Sequence, residues 1–142
     1  MASITEFCAE HRELERQARM LLDVVALEIP DPASVAALRW GFAQTLRDHC
    51  AGEDYAIYDV LLASGDVAAT RTAWAQRQEH GALSAAFATY IAQWSVGRMA
   101  SEWPLFCAET RAMLARMLDR IESEETILFA EAERVFARRK AA

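Results

Sequence analysis

Apolar side chains recur every three or four residues through four long stretches, and proline or glycine separates each stretch from the next. That spacing is the period of an α-helix with one buried face. The first stretch, about Ile4 to Leu27, presents Phe7, His11, Leu14, Ala18, Leu21 and Val25 on one side. Pro30 and Pro32 end it, because proline carries no amide donor and restricts the residue before it. The second, about Pro32 to Leu62, presents Val35, Leu38, Phe42, Leu46, His49, Glu53, Ile57 and Leu61, and Gly65 is placed to end it in a left-handed turn. The third, about Asp66 to Ser95, aligns Val67, Thr70, Trp74, Arg77, His80, Leu83 or Ser84, Phe87, Ile91 and Trp94. A break spans Gly97 to Pro104, where Ser101 or a neighbour is expected to cap the last helix with Pro104 in its first turn. That helix aligns Phe106, Thr110, Met113, Met117, Arg120, Glu124, Ile127, Glu131 and Val135. Its end places Arg138, Arg139 and Lys140 at the negative pole of the helix dipole. Glycine and proline number only five and three, and no β-branched alternation is present. The expected class is all-α, an antiparallel up-down-up-down four-helix bundle forming one domain over residues 1–142.

Composition narrows the partners. Fifteen Lys and Arg against 21 Asp and Glu leave a net charge of −6, which argues against nucleic acid or an anionic membrane surface. No uncharged apolar run is long enough to span a bilayer, and Glu6 and Glu10 fall where a secretory leader needs apolar residues. Cys8, Cys50 and Cys107 form no CxxC pair and leave one thiol over in any pairing, so a reduced cytoplasmic protein is expected. No glycine-rich phosphate loop and no G-x-S-x-G is present. Trp74 and Trp94 read as core, and Trp40 and Trp103 as exposed side chains suited to a dimer contact. Cys8 and Cys50 sit beside candidate site residues but read as small buried thiols.

All three histidines fall on apolar stripes. His49 and Glu53 are one turn apart on the same face. In an antiparallel bundle, residues equally far from a turn share a height. With turns centred at Asp31, Gly65 and Ser101, His11, His49, His80 and Arg120 come to about one layer, and Glu53 and Glu124 to the adjoining one. Imidazole and carboxylate inside an apolar core are costly unless something satisfies them, and a divalent transition metal does so with its ordinary ligands. Of the acids Glu122, Glu124 and Glu125, only Glu124 lies on the stripe, and Glu122 reads as solvated.

A lone histidine on the first helix, then HCAGE (His49 to Glu53), a histidine on the third helix and RIESEETILF (Arg120 to Phe129) follow in order along the chain. The sequence thereby resembles the hemerythrin-like, HHE cation-binding family, whose pattern is His, then H-x3-E, then His, then H-x3-E-E. The resemblance covers essentially the whole chain. It implies a four-helix bundle holding iron, often as a pair of ions, that binds or senses oxygen or related small molecules. It also implies metal ligation by His11, His49, Glu53, His80 and Glu124, with Glu125 as the second member of the E-E pair.

One position departs from the pattern: Arg120 stands where the family carries the last-helix histidine. Arginine stays protonated and offers no lone pair. The resemblance therefore implies one complete half-site, His11, His49, Glu53 and Glu124, and another in which only His80 remains. Three arrangements are open. A single metal persists, or the guanidinium occupies the lost metal's place beside Glu53 or Glu124, or an ion-pair network replaces the metal altogether. The expected function is metal binding, with one iron ion favoured over two, and storage or sensing of a small diatomic ligand rather than turnover. The competing expectation is a metal-free bundle serving as a regulatory or protein-interaction module.

Overall fold

The computed structural model describes residues 3–141 and contains only helices among them. Helix α1 (Ile4–Val25) opens on a reciprocal cap. Ser3 accepts a hydrogen bond from the Glu6 amide at 3.2 Å, and the Ser3 amide donates to Glu6 at 3.1 Å. Helix α2 (Pro32–Glu53) is capped by Asp31 and passes through a π turn (Asp54–Tyr58) into α3 (Asp59–Leu62). Gly65, at φ 75°, makes the reversal, and Asp66 caps α4 (Val67–Gln93) by accepting from the Ala69 amide at 2.9 Å. The expected break at Gly97 to Pro104 instead holds a short helix, α5 (Val96–Ser101), capped by Ser95 rather than by Ser101. Helix α6 (Trp103–Ser123) takes Pro104 in its first turn and continues through a second π turn (Glu124–Leu128) into α7 (Phe129–Ala141).

The buried face of α1 is the stripe that the sequence predicts, Phe7 to Val25. Two other stripes need correction. On α4 the buried residues of the first half are Ala69, Ala73 and Gln76, while Val67 and Trp74 (59% accessible) face solvent. Small alanines, rather than the large apolar residues beside them, meet the neighbouring helices there. In the last helical rod the π turn adds a residue to one turn and rotates everything beyond it. Leu128 and Phe129 are therefore buried and Ile127 is 48% accessible, where an unbroken α period predicts the reverse. Trp103 is likewise core, its indole N–H donating to the Leu27 carbonyl at 2.9 Å, so among the tryptophans expected at the surface only Trp40 is there.

The apolar interior is divided in two. One cluster centres on Leu14, Phe42, Phe87, Trp94, Phe106 and Met117, the other on Phe7, Ile57, Tyr58, Leu61, Leu128 and Phe129. Between them every long helix contributes a polar residue: His11 on α1, His49 and Glu53 on α2, Gln76 on α4, Arg120 and Glu124 in the middle of the last rod. The bundle is thus two apolar cores separated by one polar layer. Phe106, fully buried and packed on Tyr90, Trp94 and Trp103, is expected to cost about 3–5 kcal/mol on truncation to alanine. Trp74→Ala is expected to change stability by no more than about 0.5 kcal/mol. Urea unfolding of the two variants checks both.

Candidate metal centre

His11, His49, Glu53 and Glu124 are all buried, and one ligand atom from each lies within 4.8 Å of the others. The sequence brings them there by simple means. His49 and Glu53 are one turn apart on α2, and Glu53 and Glu124 each sit at the entrance to a π turn. His11 Nε2 is 3.1 Å from Glu124 Oε2 and 3.9 Å from Glu53 Oε2. His49 Nε2 is 3.1 Å from Glu53 Oε1 and 3.9 Å from Glu124 Oε2. Both imidazoles therefore aim the same nitrogen at the same pair of carboxylates. The rings lie 4.6 Å apart, His11 stacked on Phe129 and His49 edge-on to Phe7. Gly52 makes room for that phenyl ring: a Cβ there would meet Phe7 Cε1 at 3.1 Å.

The donor set tests well against a cation. Glu53 has no exposed surface, and neither of its oxygens accepts a hydrogen bond; His49 Nε2, facing it, is equally unpartnered. Three buried polar atoms without partners in one place, all able to present lone pairs, are what a bound metal satisfies and a purely structural hydrogen-bond network does not.

His80, the fifth predicted ligand, stands outside this group. It is partly exposed, and its Nδ1 lies 3.7 Å from Glu124 Oε1. On this side of Glu124 the buried cation is Arg120, whose Nε is 3.4 Å from Glu124 Oε1. The rest of the guanidinium is pinned. Nη1 donates to Gln76 Oε1 at 2.5 Å and to Glu79 at 3.3 Å, and Nη2 donates to the Tyr58 hydroxyl at 2.8 Å and the Gln76 carbonyl at 2.9 Å. Of the two carboxylates weighed as its partner, Arg120 takes Glu124. Gln76, a poor metal ligand, is instead a good acceptor for arginine. Tyr58 and Glu79 gave no signal in the sequence; Tyr58 is reached only because the π turn rotates it inward. Beside the cluster a cavity of about 30 Å³, walled by Leu14, Phe42, Leu46, Leu83 and Met117 as well as by the histidines, has room for a water-sized molecule. Cys50 also lines it, and burial pushes that thiol's pKa up, which keeps it protonated and unreactive. All three cysteines are free.

Protons stand in for charge compensation when only protein groups are present. Burial raises the Glu53 carboxyl to about 8, with Glu124 reinforcing the rise and His49 opposing it. Burial alone would lower His49, but the carboxylates of Glu124, Glu53 and Glu10 prevail and raise it to about 10. Burial likewise opposes ionisation of Glu124, yet the imidazole of His11 at 3.1 Å, with those of His49 and His80 at 3.9 and 3.7 Å, holds it well below the usual carboxylate range. Both raised groups carry more protons in the folded state than in the unfolded state, so stability falls as pH rises. For His49 the contribution is complete below its unfolded value near 6.5 and is lost as pH passes about 10; for Glu53 it is lost on the way to about 8. The melting temperature of metal-free protein is therefore expected to decline between pH 7 and 10, a decline reduced in His49→Gln. Thermal melts across that range check it.

The model of the hemerythrin HHE cation-binding domain matches residues 2–132. Neither the curated proteins nor the solved structures give a significant match. With the family model spanning nearly the whole chain, and a buried histidine–glutamate cluster where the family's cation-binding pattern falls, this protein belongs to the hemerythrin HHE cation-binding domain family.

Proposed function

We propose that the chain is a single-domain, antiparallel up-down-up-down four-helix bundle that holds one iron ion on His11, His49, Glu53 and Glu124. The observation that carries this reading is Glu53: a carboxylate without exposed surface or hydrogen-bond donor, converging with two imidazoles and a second carboxylate. The antiparallel arrangement is supported by the order in which the helices meet the two cores. Helix α1 runs from the Phe7 cluster to the Leu14 cluster, α2 runs back, α4 returns from Ala73 to Phe87, and the last rod runs back again from Phe106 to Leu128.

A bound transition metal would supply Lewis acidity and one-electron chemistry at the meeting point of these four groups. The chain's own contribution is distinct. Phe7 and Phe129 wall the imidazoles and keep water from them. Arg120 supplies a fixed positive charge beside Glu124, in the half of the site where the family pattern calls for a second histidine and a second metal. Two unit charges a few ångströms apart repel by several kcal/mol at an effective protein dielectric near 20, which disfavours a second ion there. His80 becomes a peripheral neighbour of Glu124 rather than a ligand.

The role is binding, storage or sensing rather than turnover, and the small cavity beside the cluster suits oxygen or a related small molecule. The three free thiols suit a reducing, cytoplasmic compartment. No helix among the described residues is long and apolar enough to cross a membrane.

Metal content per chain after anaerobic loading with ferrous iron tests the proposal. The expected values are one ion in the unmutated protein, none in His49→Ala with helicity retained, and a rise towards two in Arg120→His. Two ions in the unmutated protein would refute the one-metal claim. No uptake by any variant would replace it with the metal-free regulatory module, in which Arg120 is the counter-ion of Glu124. Competition with protons gives a second check: because metal must displace the protons held on His49 and Glu53, apparent affinity is expected to rise from pH 6 to 9 with proton release on binding. Calorimetry in buffers of different ionisation enthalpy measures that release.

A further inference from the structure

Each imidazole of the buried cluster is held from behind by a carboxylate that reaches the surface. His49 Nδ1–H donates to Glu10 Oε1 at 2.8 Å, and the Glu10 side chain is 39% accessible. His11 Nδ1–H donates to Glu125 Oε2 at 3.0 Å, and the Glu125 side chain is 25% accessible. An ionised carboxylate has only acceptors, so the proton in both contacts sits on Nδ1. Nε2 of each ring is thereby the nitrogen left facing Glu53 and Glu124.

We propose that Glu10 and Glu125 are the positioning residues of this centre: they fix the tautomer and the angle of His49 and His11 and so set how tightly the cluster holds a cation. The proposal rests on the metal-binding reading of those two imidazoles. The arrangement is crossed. Glu10, next to His11 in the chain, serves His49 on α2, whereas His11 is served by Glu125 of the last rod. Arg12 pairs with that same Glu125 carboxylate. Three consecutive residues of α1 therefore tie the first helix to both carboxylate-bearing rods. His80 has no such support; the carboxylate within its reach among the described residues is Glu124 itself. An imidazole backed by a carboxylate is a stronger and better-oriented ligand than one without, and removing such a partner costs about 10- to 100-fold in metal affinity.

The test uses the full chain, Zn²⁺ as a diamagnetic probe, and the variants Glu10→Ala, Glu10→Gln, Glu125→Ala and Glu125→Gln. Both alanine variants are expected to bind Zn²⁺ about 10- to 100-fold more weakly at unchanged stoichiometry, and the glutamine variants, which keep an acceptor oxygen, to lose less. In nitrogen-edited NMR spectra of the loaded protein, the protected Nδ1–H of His49 should vanish in Glu10→Ala alone and that of His11 in Glu125→Ala alone. Native affinity with both protons protected in the alanine variants overturns the proposal. If the unmutated chain takes up no Zn²⁺, the metal reading falls by itself, and metal-free protein decides the positioning role. The nuclear Overhauser contacts of His49 with Phe7 and of His11 with Phe129 should then be lost in Glu10→Ala and Glu125→Ala respectively, and their persistence in both overturns it.

Discussion

A fully buried carboxylate that accepts no hydrogen bond sets the terms for the rest of this molecule. Leaving Glu53 ionised and alone in an apolar core would cost more than a domain of this size can supply. Its neighbours are arranged to offset that cost: His49 stands one turn away, His11 reaches in from the facing helix, and Arg120 balances the adjoining Glu124. The apolar clusters above and below then act as insulation. They hold the polar residues in one layer and strengthen every interaction within it by excluding water.

The two halves of that layer share a plan with different chemistry. His49 precedes Glu53 as Arg120 precedes Glu124, and a π turn begins at or just after each glutamate. Tyr58 and Phe129 lie equally far beyond the two carboxylates. Tyr58 uses its hydroxyl to accept from Arg120, whereas Phe129 stacks flat on His11. An aromatic ring that only covers an imidazole suits a ligand to metal. One that also accepts a hydrogen bond suits a guanidinium. The arginine at position 120 is thus matched by a hydroxyl at position 58 and an amide at position 76, so it is built in on every side.

Much of this was legible in the sequence because helical periodicity is a strong signal. It placed the buried faces of α1 and most of α2, and it aligned His11, His49, Glu53 and Glu124 from their distances to three turns. The failures have specific causes. Periodicity counts residues at a fixed angle, so one π turn was enough to exchange Ile127 for Leu128 and Phe129, and the other to conceal Tyr58. Hydrophobicity ranks large side chains first, so Trp74 displaced Ala73 on the predicted face of α4. The carboxylates behind the histidines were hidden for a third reason: Glu10 lies off the apolar stripe and looks like an ordinary surface acid, and Glu125, also off the stripe, entered only as the second member of the E-E pair.

The burial of the cluster has a consequence in time rather than in energy. His11, His49, Glu53 and Glu124 are almost entirely enclosed, and the neighbouring cavity is no larger than a water-sized molecule requires. Entry of the proposed ion would then call for local opening of the helices around this layer. Exchange would then run at the rate of that local opening, whatever the concentration of ion outside. A protein that held its ion in this way would keep it long after the supply had changed, and its occupancy would report the past rather than the present.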